Sequence, residues 1–233
     1  MIEAEWWEYD DASEMAEAVA GDVGFIIESA LDARGSSLIA LPGGDTPKPI
    51  FKALAAKKMP WKQVTIIPTD ERLVPMDDER SNVRGIAQAF IPAGARVIPI
   101  TGDIKDHKLA GNSADARLQD LSWPPDLVWL GMGDDGHTAS IFTGPDMQDA
   151  LDAPKARRAV GVMPDPLPEN APVARVTLTR GALLSARTIL ITITGDEKRE
   201  LLEQAIKDGQ SSRLPIGRVL AEAEQPIDIH WAP

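Results

Sequence analysis

One histidine closes the glycine-dense run Gly131-Met-Gly-Asp-Asp-Gly-His-Thr-Ala-Ser-Ile-Phe142, and that histidine, His137, is the residue best suited to move a proton. The stretch Asp126-Leu-Val-Trp-Leu130 before it is apolar after its first residue, and such a run ending in glycines reads as a buried parallel strand opening into a loop. Ligands of open α/β sheets bind beyond such strand ends. Histidine exchanges protons near neutral pH. On this motif alone His137 could also be a helix N-terminal residue that bonds only locally. Gly131, Gly133 and Gly136 also match the G-x-G-x-x-G pattern of dinucleotide sites. That pattern must open a hydrophobic helix within a first βαβ unit. Here Asp134, Asp135 and His137 crowd the turn, and neighbouring carboxylates repel a pyrophosphate, so nucleotide binding is disfavoured.

Four other groupings offer chemistry. In Leu41-Pro-Gly-Gly-Asp-Thr-Pro-Lys-Pro-Ile-Phe51, Gly43 and Gly44 let backbone N–H groups approach a ligand, and Thr46 reads as a helix N-cap with Pro47 at the first helical position. Free N–H groups and the positive end of the helix dipole would bind an anion such as phosphate; the plainer reading is a strand-to-helix turn. The Gly-Lys-Ser/Thr spacing of a Walker loop is absent. Thr69-Asp-Glu-Arg72 sets two carboxylates beside an arginine, which can orient hydroxyls while Arg72 binds an anionic oxygen. Ser81-Asn-Val-Arg84 offers polar donors at a helix start. In Thr194-Gly-Asp-Glu-Lys198 the lysine falls in the first turn of a helix, against the macrodipole, a cost that a bound phosphate would reverse.

Composition narrows the function classes. With 43% hydrophobic and 26% charged residues the chain has the balance of a soluble globular protein. No apolar run approaches the roughly 18 residues of a membrane span. Its N-terminus, Met1-Ile-Glu-Ala-Glu-Trp-Trp-Glu, is acidic where a signal peptide carries positive charge. No cysteine is present, which suits the cytoplasm. A net charge of −12 argues against nucleic-acid and anionic-membrane partners, and requires a local cluster of cations to draw in an anionic substrate. His107, His137 and His230 are too scattered for a zinc site, no EF-hand loop occurs, and no G-x-S-x-G elbow supplies a serine nucleophile. What remains for hydrolysis is water activated by a base.

The elements that must position these groups alternate along the chain. Helical patterns fall at residues 13–34, from the Gly43 turn through about 57, and at 82–90, 110–121 and 196–208. Strand patterns fall at 37–41, 64–68, 96–100, 126–130, 175–178 and 188–194, with 69–75 read as a loop. Residues 144–174, rich in proline, read as a linker or surface excursion. The alternation predicts a mainly parallel sheet with helices on both faces, in one domain over residues 1–233.

Taken in order, Gly43-Gly-Asp-Thr-Pro, Thr69-Asp-Glu-Arg, Ser81-Asn, the Gly131–Ser140 run and Thr194-Gly-Asp-Glu-Lys resemble the 6-phosphogluconolactonases. More distantly the chain resembles the glucosamine-6-phosphate deaminases, which share the fold. The resemblance implies a three-layer α/β/α sandwich, no cofactor and no metal, a phosphorylated sugar lactone as partner, and a monomer or weak homo-oligomer. It implies hydrolysis of 6-phospho-D-glucono-1,5-lactone with His137 as general base. Gly43, Gly44, Thr46 and Lys198 would hold the phosphate, and Arg72 and Arg84 would add positive charge around phosphate or oxyanion. Asp70 would orient either the sugar or the histidine.

Two departures stand out. Asp45 replaces the usual Ser or Thr, so it should point away from a phosphate or receive nearby cations. Phe142-Thr-Gly replaces the commoner Phe-Pro-Gly. Phe142 also stands five residues after the histidine, where the deaminase pattern has a glutamate, and this weighs against deamination. A same-fold isomerase or deaminase and a non-catalytic sugar-phosphate sensor are the competing readings.

Overall fold

The computed structural model describes residues 2–233. An edge strand, β1 (Ala4–Glu8), leads into the long helix α1 (Ala12–Arg34). Asp11 caps α1 by accepting from the N–H groups of Ser13 and Glu14, and Gly35 ends it in the left-handed region at φ 72°. There follow β2 (Ser37–Leu41), α2 (Pro47–Ala55), β3 (Val64–Pro68), β4 (Asp70–Arg72), α3 (Asn82–Phe90) and β5 (Arg96–Val97). The middle of the chain forms α4 (His107–Gln119), β6 (Leu127–Leu130), α5 (Met147–Leu151), β7 (Ala159–Val162) and β8 (Arg175–Leu178). The last part forms α6 (Arg180–Leu184), β9 (Thr188–Thr194), α7 (Asp196–Asp208), α8 (Pro215–Leu220) and β10 (Ile227–Ala232).

Seven strands make one parallel sheet in the order β1-β10-β9-β6-β2-β3-β5. Its central strands are buried on both faces, which explains their unbroken apolar sequences. Alternation along them divides the core. Ile39, Leu41, Leu127 and Trp129 pack on the α1–α2–α3 side, while Leu38, Ala40, Val128 and Leu130 face the opposite cluster with α4, α7 and α8. The Trp129 indole, fully buried, donates to Thr192 Oγ1 at 2.9 Å and meets Phe51 edge-on. The three-layer α/β/α arrangement expected from the sequence is present. Among the described residues no helix is long and apolar enough to cross a membrane.

Some expectations are corrected. Residues 144–174 are not a bare excursion: they contain α5 and β7, and β7 lies in a second, antiparallel sheet of order β4-β8-β7. Val160 and Val162 are buried there, so the prolines punctuate packed chain rather than marking a linker. Residues 70–72, read as part of a loop, are the short strand β4, whose register pairs Asp70 with Thr177 and Arg72 with Arg175. The strand at 96–100 shrinks to Arg96–Val97, because Pro99 has no N–H to continue the ladder. The helix expected through about 57 ends at Ala55, and that at 110–121 starts earlier, at His107 under an Asp106 cap. The edge strand β1, where glutamates flank the tryptophans, and its inner neighbour β10 also had no predicted counterpart.

Candidate active site

The C-terminal ends of β2, β3, β6 and β9 converge on a cavity of about 510 Å³. Gly43, Gly44, Thr46, Asp70, Arg72, His137 and Lys198 line it together, although 156 positions of chain separate Gly43 from Lys198 counted inclusively. Arg84 does not line it.

His137 sits in the loop after β6, not in a helix; the next helix begins only at Met147. The same fact removes the helix that a dinucleotide fingerprint would need. Its Nδ1 lies 2.5 Å from Asp135 Oδ1, and its backbone N–H donates to the same oxygen at 3.1 Å. A carboxylate accepts, so Nδ1 carries the proton and Nε2 keeps a free lone pair. Partial burial pushes the Asp135 carboxyl up, but its hydrogen bonds and charge interaction with His137 outweigh this and leave it below the ordinary carboxylate value. On its flat side the imidazole stacks on Phe142, with centroids 4.1 Å apart. The close fit explains Gly133: any Cβ there would run into the His137 ring.

Asp70 is buried and committed to other partners. Its Oδ2 accepts from Ser140 Oγ at 2.5 Å and its Oδ1 from Asn82 Nδ2 at 3.2 Å. Thus Asp135, not Asp70, is the hydrogen-bond partner of the histidine. Glu71 turns away from the cleft and accepts from the N–H groups of Asn82 and Val83, both at 2.7 Å, at the start of α3. Burial pushes its carboxyl up while those N–H donors pull it back. Asn82 links the two walls: its amide donates to the Asp70 carbonyl at 2.8 Å and its oxygen accepts from Arg72 Nη1. A Cβ at Gly43 would collide with this Asn82 side chain, so the turn after β2 requires glycine.

Arg72 and Arg175 stand opposite each other on β4 and β8, both lining the cavity. Like charges directly opposite on neighbouring strands are unfavourable. Each also has a buried Nε with no hydrogen-bond partner among the described residues. Buried donors are rarely left unmet, so two like charges and two unpaired donors are concentrated on one wall of the cavity. Arg175 is 2% exposed, and burial lowers its proton affinity. Its guanidinium carbon lies 5.0 Å from the Phe142 ring centroid.

Across the cleft, Lys198 is the third residue of α7 and reaches Asp134 at 3.2 Å. Thr46 occupies the position before α2 but does not cap it: its backbone is already helical and its side chain makes no capping bond, while Pro47 holds the first helical position as expected. Asp45 points outward, 94% exposed, and pairs with Lys48 at 2.5 Å, which holds its carboxyl below the usual range. Sequence reasoning missed Asp135, Asn82 and Arg175 as site residues. Asp135 was legible in its i, i+2 spacing from His137; Arg175, at the head of a strand, carried no such signal.

A family model described as glucosamine-6-phosphate isomerases/6-phosphogluconolactonase matches residues 10–231. A 6-phosphogluconolactonase of Rhizobium meliloti (strain 1021) is 38% identical over 97% of both chains. The crystal structure of a 6-phosphogluconolactonase from Shewanella baltica OS155 superposes with a TM-score of 0.91 at 29% identity, covering 99% of this chain and 98% of that one. That of a putative 6-phosphogluconolactonase from Neisseria gonorrhoeae FA 1090 gives 0.89 at 31% identity, covering 99% and 100%.

Proposed function

The chain belongs to the glucosamine-6-phosphate isomerase/6-phosphogluconolactonase family, and we propose that its cleft hydrolyses a phosphorylated sugar lactone with His137 as the base. The reaction is the conversion of 6-phospho-D-glucono-1,5-lactone to 6-phospho-D-gluconate, in the pentose phosphate pathway. The observation that carries the reading is the Asp135–His137 pair, with His137 lining a cleft that also holds Arg72, Arg175 and Lys198.

Nε2 of His137 takes a proton from water as the water oxygen bonds to C1 of the lactone. Asp135 holds the resulting imidazolium through Nδ1–H. The carbonyl electrons move to oxygen, and the guanidinium charges of Arg72 and Arg175, both lining the cleft, balance that charge or the phosphate. Collapse breaks the bond from C1 to the ring oxygen, which receives the proton from Nε2 and leaves as the C5 hydroxyl. The acid formed at C1 then ionises. Only water and protons are exchanged. Lys198, Thr46 and the N–H groups of the Gly43–Gly44 turn hold the phosphate, and Asp70 faces the sugar. A phosphorylated substrate does not cross membranes, so the enzyme acts where that substrate is made, in the cytoplasm.

The test is direct. Lactone is generated with glucose-6-phosphate dehydrogenase, and its disappearance is followed with and without the protein. Loss at only the spontaneous rate would defeat the reading.

A further inference from the structure

The cleft has a second lobe of about 510 Å³ beside the His137 cavity. Gly43, Gly44, Arg72, Asn82 and Asn170 form the wall common to both. The two lobes differ in charge. The lining around His137 has three cations, Arg72, Arg175 and Lys198, and three carboxylates, Asp70, Asp134 and the outward-pointing Asp45. The side lobe sets four cations, Lys48, Arg72, Arg80 and Arg84, against Asp45 and Glu79. Lys48 is engaged by Asp45 and Arg80 by Asp78, at 2.5 and 2.6 Å. The Arg84 side chain has no hydrogen bond or ion pair among the described residues, and only its backbone N–H is held, by Ser81 Oγ. It stands in the first turn of α3, whose leading N–H groups are already taken by the Glu71 carboxylate, so its guanidinium is left to the lobe.

The substrate and product of the reaction differ in charge at one end only. The lactone is an uncharged ester at C1, and hydrolysis leaves a carboxylate there. That carboxylate forms in the His137 cavity, where the lining cations are matched one for one by carboxylates, so the less balanced side lobe holds it better. Ring opening also releases C1 from the compact geometry that held it against His137. We propose that the side lobe is a product subsite: it receives the new carboxylate, with Arg84 as the ligand and Arg72 at the threshold between the lobes. The inference rests on the lactonase reading and adds a direction to it, since the lobe has little to offer the neutral lactone end. It also accounts for the placement of Arg84 outside the His137 cavity.

Calorimetric titration of two ligands separates the possibilities. Product, 6-phosphogluconate, is compared with glucitol 6-phosphate, which keeps the phosphate and the polyol but ends in an alcohol at C1. The whole protein should prefer the product by roughly tenfold at low salt, as expected for one charge-assisted contact. Arg84→Gln should erase the preference while leaving glucitol 6-phosphate affinity in place, and Arg84→Lys should keep most of it. Equal weakening of both ligands would assign Arg84 to the phosphate or to folding and overturn the proposal. So would a preference absent in the wild type or intact in Arg84→Gln. Failure of the lactonase reading appears separately, as no acceleration of lactone loss by the wild-type protein.

Discussion

The imidazole of His137 lies on the ring of Phe142 with centroids 4.1 Å apart and planes inclined by 22°. Phe142 is buried, so the contact fixes the histidine face without exchanging a proton. Amine release and ring opening on an aminosugar phosphate need several proton transfers, and in the deaminase-like pattern a carboxylate at this place serves one of them. Ammonia release from glucosamine 6-phosphate should therefore be negligible beside lactone hydrolysis by the same preparation. Phe142→Glu should gain a trace of it. Deamination by the wild type as fast as lactone loss would show that the phenyl ring does not exclude that chemistry.

Removing the base tests the centre of the mechanism. Asparagine at 137 cannot take a proton from water, so His137→Asn should lower turnover by roughly 10² to 10⁴-fold. Binding of 6-phosphogluconate should persist. Turnover near the wild-type value, after subtraction of spontaneous hydrolysis, would take His137 out of the reaction.

Asp135 acts through the histidine. Asp135→Asn keeps the shape but removes the charge that holds Nδ1–H and steadies the imidazolium. We expect kcat to fall by about 10 to 100-fold, the range for partners that orient a functional imidazole, with KM little changed. Because the Asp135 carboxyl lies below the ordinary carboxylate value, it stays ionised through the neutral range. The Asp135 charge is therefore present in the wild type throughout the neutral range, and the deficit should be seen at pH 7 and above. A KM effect with kcat intact would make Asp135 a binding residue instead.

Legibility in the sequence followed the physics of each part. Strands 37–41, 64–68 and 188–194 matched to the residue, because strands buried on both faces are apolar throughout and bounded by polar turns. The edge strand β1 did not stand out, since exposed Glu5 and Glu8 break its apolar pattern. The three-stranded sheet escaped because the β4–β8 pairing joins residues about a hundred positions apart, Asp70 with Thr177 among them, and β7 lies in the proline-rich stretch. Within the site, motifs announced Gly43, Arg72, His137 and Lys198. The opposition of Arg72 and Arg175 depends on that antiparallel register, which no local pattern encodes.

Lys198 tests the phosphate pole. Charge-assisted hydrogen bonds contribute about 1.5–3 kcal/mol, so Lys198→Ala should reduce kcat/KM for the phosphorylated lactone by roughly tenfold or more. Its pairing with Asp134, a carboxylate 92% exposed, is weak enough for a phosphate to displace. Unphosphorylated gluconolactone should be a poor substrate for the wild type and little affected by the substitution. Comparable efficiency on the two lactones would remove the phosphate site from the account.

His230 gives the fold a sensitivity to acid. It is 1% exposed on β10, and burial pushes its pKa down from 6.5 to about 4. Its Nδ1 accepts from the Tyr9 hydroxyl at 2.8 Å, and burial with the charges of Asp22 and Glu14 raises that phenol to about 12, so the donor keeps its proton. Asp22 stands 4.0 Å from Nε2, its own carboxyl pushed up by burial. In the unfolded chain the imidazole titrates near 6.5. Between about pH 6.5 and 4 the unfolded state therefore binds more protons, and stability falls as pH falls. The contribution is complete above 6.5 and is lost as pH drops through 4; its size is roughly 3 kcal/mol. His230→Asn cannot titrate, while the surrounding carboxylates titrate in both proteins. Urea unfolding should show a stability gap between wild type and variant that is widest at pH 7 and narrows by about that amount at pH 4. Parallel stability curves would mean that the acid sensitivity lies elsewhere.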